Sequence, residues 1–129
     1  MSWEDHTQVV VFLINPQNWR WRMKGTVKLN REFRYAYKRG KKVVSSYIVL
    51  HYVKNGKGSN RLGITVSKLP GAVMRNRAKR LIRESYRKYL ADMPGGYNFI
   101  IVARSRMADA TLADVDKAME YCLRKSDLT

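Results

Sequence analysis

The feature that most limits how this chain can fold is an amphipathic stretch at residues 71–90, GAVMRNRAKRLIRESYRKYL. At about 100° of rotation per residue, its apolar and cationic side chains separate onto two faces of one helix. The apolar face is wide enough to lie on a sheet and contains Met74, Ala78, Leu81, Ile82, Ser85 and Tyr89. The opposite face contains Asn76, Lys79, Arg80, Arg83 and Arg87, and the two borders carry Arg75 and Arg77. We therefore expect a helix that packs on a sheet and presents cations to solvent.

The charge on this helix indicates a negative partner outside the protein. Glu84 is the one acid between Arg75 and Lys88, and like charges four residues apart destabilise a helix. Most of the cations are arginines, whose planar guanidinium groups bind phosphate through paired hydrogen bonds. The first turn also presents free backbone N–H groups, as phosphate-binding helix ends do. A phosphate-rich partner fits this pattern better than the alternative, a solvated charged face.

The whole chain is strongly basic. Its 129 residues include 26 Lys or Arg and 10 Asp or Glu, and its formal net charge is +16. The excess lies in residues 23–106, because acids and bases balance in residues 1–22 and acids outnumber bases in residues 107–129. Such a charge implies nucleic acid or an anionic membrane surface as partner, and 45% hydrophobic residues predict a packed globule. No apolar run approaches a membrane span, so we expect no membrane partner.

The other segments alternate between helical and strand patterns. Residues 31–39 predict a helix, and residues 45–53 and 61–67 predict two strands joined by a hairpin loop with an Asn-Gly turn signal. The apolar run at 97–103 predicts a central strand buried on both faces, and Thr111 begins a capping-box pattern for a last helix. We therefore expect an α+β fold. It is a two-layer sandwich of three helices on a small mixed sheet of about four strands, in the order α-β-β-(β)-α-β-α.

Groups that could catalyse a reaction are scarce. The histidines are His6 and His51, and no Cys/His cluster, phosphate-binding Gly-Lys-Ser/Thr loop or nucleophile elbow is present. The acids are scattered, with no evident pair to hold two metal ions. The single cysteine, Cys122, excludes an intramolecular disulfide and fits a reducing cytoplasm, and its place on an apolar stripe predicts burial. The residues predict a nucleic-acid binder with no catalytic residue, no metal site and no protein-bound cofactor.

Residues 66–84, VSKLPGAVMRNRAKRLIRE, resemble the signature of the bacterial ribonuclease P protein component. The resemblance consists of an Arg-Asn-Arg motif followed by Lys-Arg and a further Arg on one helix, here Arg75, Asn76, Arg77, Lys79, Arg80 and Arg83. The preceding loop departs from the family at Lys68-Leu-Pro-Gly71, where a second Lys is often found. The resemblance implies the protein subunit of an endoribonuclease whose catalytic RNA removes the 5′ leader of precursor tRNA. It also implies a left-handed βαβ crossover, where general rules predict a right-handed one.

The resemblance further implies two sets of binding residues. The catalytic RNA would bind the six residues of the motif, to which charge and position add Lys68 and Arg87. The leader would lie in a cleft where unpaired bases stack on aromatic rings, formed by Phe33, Arg34, Tyr37, His51 and Arg61. Mg²⁺ in the holoenzyme would be bound mainly by RNA. The implied partners are the catalytic RNA and precursor tRNA, with no obligate protein partner, and the implied location is the cytoplasm.

Residues 1–22 do not match the rest of the chain, and a segment beginning at Met23 resembles the ordinary start of the family. We expect residues 1–22 to be a weakly ordered extension and residues 23–129 to form the ribonuclease P protein domain. The alternative for the extension is an added strand at residues 9–14, where the sequence reads VVVFLI.

Two other functions are compatible with charge and fold. One is a stand-alone RNA-binding protein of the ribosomal or RNA-chaperone type. The other is a DNA-binding protein whose basic helix enters a major groove, although arginines on both borders of the helix favour backbone contacts over base reading. The intact Arg-Asn-Arg motif, together with the upstream pair Phe33 and Tyr37, favours the ribonuclease P subunit.

Overall fold

The computed structural model describes residues 9–13, 20–23, 35, 38–54, 56, 60–66, 68–90 and 96–126. The elements in chain order are strands β1 (Val9–Leu13), β2 (Arg20–Met23), β3 (Lys41–Val44), β4 (Ile48–Lys54) and β5 (Arg61–Thr65), helix α1 (Ala72–Tyr89), strand β6 (Tyr97–Ala103), a 3-10 helix (Ser105–Asp109) and helix α2 (Leu112–Lys125). Tyr35, Lys38 and Arg39 are also helical. The remainder of the helix predicted at 31–39, with Phe33, Arg34 and Tyr37, lies outside the described residues.

The strands form one mixed sheet in the order β2-β1-β5-β6-β4-β3. β5 and β6 are parallel and all other neighbours are antiparallel. Because α1 lies between β5 and β6 in the chain, these elements form the predicted strand-helix-strand crossover. The α+β class and the mixed sheet are confirmed. The left-handedness that the resemblance implies stays a prediction.

The prediction of a hairpin between the strands on either side of residues 54–60 is wrong. β4 pairs with β6 rather than with β5, and β6 therefore lies between the two predicted hairpin strands. The physical reason is the composition of β6, whose continuous apolar run requires neighbours on both edges and cover on both faces. Asn60, which the sequence places in a flexible loop, is instead buried and accepts a hydrogen bond from the Tyr97 N–H at 2.7 Å.

The described part of the sheet has six strands, against about four expected. β3 lies at one edge, and β1 and β2 extend the other edge along β5. β1 falls where the alternative of an added strand placed it, and it pairs with β5 from Val9↔Thr65 to Leu13↔Arg61. The weak order expected for residues 1–22, and the domain boundary at residue 23, stay predictions.

Helices α1 and α2 pack on one face of the sheet and enclose a hydrophobic core with it. Alternate residues of the three central strands point into it, as the period-two patterns predict: Ile48, Leu50, Tyr52, Leu62, Ile64, Phe99, Ile101 and Ala103. Ile100 is fully buried but lies outside this cluster, on the opposite face of β6. The prediction of a central strand buried on both faces is therefore confirmed.

The buried face of α1 is rotated slightly from the predicted one. Ala78, Ile82 and Ser85 are buried as expected, but Met74 is 40% exposed and Tyr86 is fully buried. The ring of Tyr86 meets the ring of Phe99 edge-on, with 5.8 Å between their centroids. An aromatic contact of this kind adds stability beyond the buried area, so it draws Tyr86 rather than Met74 towards the core.

Helix α2 begins and packs as its sequence predicts. The Asp114 N–H donates to Thr111 Oγ1 at 3.2 Å, and the Thr111 N–H donates to Asp114 Oδ2 at 3.0 Å, which completes a capping box. Cys122 is fully buried, as expected. Burial raises the pKa of its thiol to about 11, so it is a packing residue and not a reactive thiolate.

Candidate nucleic-acid interface

Helix α1 begins at a glycine that its backbone requires. Gly71 has a φ of 78°, a conformation that side chains rarely adopt, and it supplies no side-chain cap. The first intrahelical hydrogen bond runs from the Arg75 N–H to the Gly71 carbonyl at 3.2 Å. The first turn contains no acid and its residues are exposed. This helix end therefore has the positive dipole and the accessibility that favour a bound anion.

The two arginines at the borders of the helix also hold the surrounding chain. Both side chains are partly buried. Arg75 Nη1 donates to the Leu69 carbonyl at 3.2 Å, and Arg77 Nη2 donates to the carbonyl of Ala110, between the 3-10 helix and α2. The loop before α1 and the start of α2 are therefore both attached to the Arg-Asn-Arg motif.

The predicted RNA-binding residues between and beyond these arginines face solvent. Asn76, Arg80 and Arg87 are exposed on one side of α1, and Lys79 and Arg83 are partly exposed. Lys68 is exposed in the preceding loop. We refer to these six residues, with Arg75 and Arg77, as the α1 surface. The structure thus brings together every residue predicted to bind the catalytic RNA.

Opposing charge on α1 itself is slight. Glu84 pairs with Arg87 at 3.6 Å, and each side chain is about half exposed, so the pair is screened and weak. The pKa of the Lys79 ammonium is lowered, first by partial burial and then by the neighbouring Arg75 guanidinium. The crowding of cations inferred from the sequence is therefore present in the folded protein, and a bound polyanion would relieve it.

The acids of α2 restrict the cationic area to one side of α1. Lys88 forms an ion pair with Asp116 at 2.8 Å, and the Tyr89 hydroxyl donates to Glu120 at 2.8 Å. The hydrogen bond to Glu120 is the largest cause that raises the pKa of Tyr89 to about 12. Sequence reasoning missed these contacts, because the predicted acidic cover helix gives no indication of which cations it meets.

Two of the five residues predicted for the leader cleft lie in described strands. His51 pairs with Ile100, and Arg61 pairs with Asn98, two residues earlier in β6. The two residues therefore share the sheet face opposite the helices. His51 is only 5% exposed, and the face that looked open in the sequence at residues 61–67 is buried at Thr65. The cleft roles of these residues, and of Phe33, Arg34 and Tyr37, stay predictions.

The environment of His51 holds its imidazole neutral. Burial lowers the pKa of His51 to about 4, and the cation of Lys42, its partner across the strand pair, contributes in the same direction. At neutral pH the sheet face therefore carries an uncharged polar ring at this position.

The described residues contain no group of three or more His, Cys, Asp or Glu side chains that could hold a metal ion. Within the same part of the chain, no helix has the length and apolar character needed to cross a membrane.

Comparisons with known proteins agree with the fold and the motif. A family model described as Ribonuclease P matches residues 22–127. The ribonuclease P protein component of Clostridium botulinum (strain 657 / Type Ba4) is 41% identical over 104 residues, which cover 79% of this chain and 94% of that protein. The solved structure of the Staphylococcus aureus RNase P protein has a TM-score of 0.68 at 32% identity, covering 77% of this chain and 92% of that one. The RNase P protein from Thermotoga maritima has a TM-score of 0.67 at 28% identity, covering 81% and 99%.

We predict that Arg77→Ala destabilises the protein whereas Arg80→Ala does not. Loss of Arg77 leaves the carbonyl of the fully buried Ala110 without its donor, at a cost of about 1–3 kcal/mol. Arg80 is exposed on the same helix and its replacement should change the free energy of unfolding by no more than about 0.5 kcal/mol. Urea unfolding of the two variants measures the difference. Equal midpoints would show that Arg77 does not hold α2.

We predict that the free energy of unfolding falls as pH drops from neutrality towards 4. The folded-state pKa of His51 is about 4, below the ordinary 6.5, so the unfolded chain takes up the proton first. The contribution of neutral His51 is complete above about pH 6.5 and is lost as pH falls through about 4. His51→Gln should remove this part of the pH dependence in urea unfolding from pH 7 to pH 4. If the free energy of unfolding depends on pH in the same way in the wild type and in His51→Gln, the prediction is contradicted.

Proposed function

Because the chain belongs to the ribonuclease P protein family, and is thereby a protein subunit of ribonuclease P, we propose that it binds the RNA subunit through its α1 surface. The observation that carries this proposal is the exposure of Asn76, Arg80 and Arg87, with Lys79 and Arg83, along one side of a helix. The acids of α2 lie elsewhere, against Lys88 and Tyr89. The α1 surface is therefore a cationic strip along one side of the helix.

The proposed contacts are mainly with RNA phosphates. Side chains cannot read the deep, narrow major groove of an A-form RNA helix, so a basic helix recognises its shape and backbone. The guanidinium groups of Arg80 and Arg83 would each bind a phosphate through two hydrogen bonds. The exposed first turn of α1 would add backbone N–H donors. Arg75 and Arg77 each donate to a backbone carbonyl outside α1, those of Leu69 and Ala110. These two arginines would fix the position of the helix on the RNA. Release of condensed counterions would make the binding strongly dependent on salt.

We also propose that the 5′ leader of precursor tRNA binds across the sheet face opposite the helices. The strand register supports this proposal, because it puts the positions of His51 and Arg61 on that face. His51 itself is 5% exposed, and its low pKa makes the buried ring neutral at physiological pH. Phe33 and Tyr37 would provide the rings on which unpaired bases stack, with Arg34 beside them. The leader and the RNA subunit would then contact opposite layers of the protein, so both could bind at once.

The chemistry of cleavage is proposed to reside in the RNA subunit, with Mg²⁺ bound mainly by RNA. The support is the sequence, in which the acids are scattered and form no evident pair for two-metal hydrolysis. The proposed role of the protein is to raise the affinity for substrate and to lower the magnesium requirement. The proposed location is the cytoplasm, which a single unpaired cysteine fits.

We predict that the double variant Arg80→Ala/Arg83→Ala binds ribonuclease P RNA more weakly and with a flatter salt dependence. Each lost phosphate contact should reduce the slope of log K against log salt concentration by about one unit. Lys42→Ala/Lys54→Ala is the matched control, because it removes two exposed cations from β3 and β4. Filter binding over a range of salt concentrations measures both slopes. Equal slopes for the double variant and the wild type would place Arg80 and Arg83 outside the interface.

We predict that the protein stimulates single-turnover cleavage of precursor tRNA by a bacterial ribonuclease P RNA at low magnesium. The stimulation should decrease when the leader is shortened, because the proposed stacking contacts are then lost. Tyr37→Ala should reproduce the loss with a full leader, and Tyr37→Phe should retain activity. RNA binding without stimulation would instead support a stand-alone RNA-binding protein.

A further inference from the structure

We propose that a pocket on the flank of α2 away from α1 is a second RNA site, which binds one unpaired nucleotide. The pocket has a volume of about 550 Å³ and lies between the turn joining β3 to β4, the end of β6 and α2. That volume is within the range of small-ligand sites. The residues that carry the argument are Ser46, Tyr47, Arg104, Lys117, Tyr121 and Arg124. This inference rests on the proposed function, since it takes RNA as the partner.

The pocket is separate from both surfaces described above. On α2, Asp116 and Glu120 face α1, where they contact Lys88 and Tyr89. Lys117 and Tyr121 follow them directly in the sequence and therefore lie on another flank of the helix. The pocket shares no residue with the α1 surface or with the predicted leader cleft.

Three cations at the pocket provide a phosphate site. Arg104, Lys117 and Arg124 line it, and Arg124 forms no ion pair with any residue in the described ranges. Arg104 is fixed in place, because its Nη1 donates to the Ser45 carbonyl at 2.7 Å and its backbone N–H donates to the Tyr47 carbonyl at 2.9 Å. A guanidinium has five N–H donors, so one hydrogen bond to a carbonyl leaves donors for an anion. A preorganised arginine loses less entropy when it binds phosphate.

Two tyrosines provide a surface for the base. Tyr47 is partly buried, and the Arg106 guanidinium lies 5.3 Å from its ring centroid. Tyr121 is 38% exposed, and the Lys125 ammonium lies 5.9 Å from its ring centroid. Aromatic rings beside cations are the combination on which unpaired bases stack while their phosphates are neutralised.

The acid in the pocket does not reverse its charge. Asp114 is the one carboxylate among the described residues that line the pocket. Its Oδ2 accepts the hydrogen bond from the Thr111 N–H in the capping box, so it has a structural role at the start of α2. The lining therefore remains cationic. A nucleotide supplies both a phosphate and a flat ring, whereas an acidic peptide supplies charge alone. The presence of two tyrosines in the lining therefore favours RNA.

The test is an NMR titration of the full-length ¹⁵N-labelled chain with triuridylate, with inorganic phosphate and hexaglutamate as parallel ligands. Triuridylate is expected to shift the amide signals of Ser46, Tyr47, Arg104 and Tyr121 in a saturable manner. Phosphate and hexaglutamate are expected to shift them little at the same concentration. Equal shifts with phosphate would reduce the pocket to an anion site, and equal shifts with hexaglutamate would favour an acidic protein partner. Either result would overturn the nucleotide assignment, as would triuridylate shifts confined to α1 or to the sheet face of His51.

Variants identify the groups responsible. Tyr121→Ala should weaken triuridylate binding by about tenfold, which is within the effect of removing one stacking ring, and Tyr121→Phe should restore it. Arg124→Ala should also weaken binding, whereas Lys54→Ala, which removes an exposed cation at the far end of β4, should not. Unchanged affinity in Tyr121→Ala would contradict the proposal.

A separate titration distinguishes this proposal from the proposed function. If the wild-type protein fails to bind ribonuclease P RNA, the proposed function is wrong whatever the pocket binds. If it binds that RNA through Arg80 and Arg83 but triuridylate does not shift the amide signals of the pocket residues, only the second site is overturned.

Discussion

The structure depends on the burial of one face of α1 against β5 and β6. A helix this rich in cations repels itself, and most helical stability in proteins comes from packing of an amphipathic face. Ile82 and Tyr86 are fully buried, and the Tyr86 ring packs on Phe99 of β6. In the chain, β5 precedes α1 and β6 follows it. The packing of α1 on the sheet therefore also holds these two parallel strands side by side. The cationic face must then point away from the core.

Buried polar contacts hold the ends of this crossover. The Asn60 side chain accepts from the Tyr97 N–H and donates to the Leu90 carbonyl at 3.4 Å. It thereby connects the residue before β5 to the end of α1 and to the start of β6. Arg75 and Arg77 act similarly at the first turns of α1, through the carbonyls of Leu69 and Ala110. The helix that is proposed to bind RNA is therefore held at both ends, so its exposed side chains project from a rigid support.

Some charged side chains of α1 hold the fold, and others are exposed and are proposed to bind RNA. Asp116 pairs with Lys88 and Glu120 accepts from the Tyr89 hydroxyl, while Asn76 and Arg80 are exposed on the α1 surface. Within the Arg-Asn-Arg motif, the two arginines contact backbone carbonyls while Asn76 faces solvent. Residues proposed to bind RNA and residues that hold the fold thus overlap in one motif, and mutational effects on affinity must be separated from effects on stability.

The sequence alone determined the α+β class, the two faces of α1, the alternation of β4, and the burial of β6 and Cys122. Each follows from local periodicity, which depends only on the spacing of neighbouring residues. It did not predict the placement of β6 between β4 and β5, the burial of Tyr86 in place of Met74, or the contacts of Arg77 and Asn60. These depend on partners 13 to 55 positions apart along the chain, and no local pattern encodes which distant partner a side chain meets. Only the tertiary structure, by bringing such partners together, decided which cations hold the fold and which remain exposed.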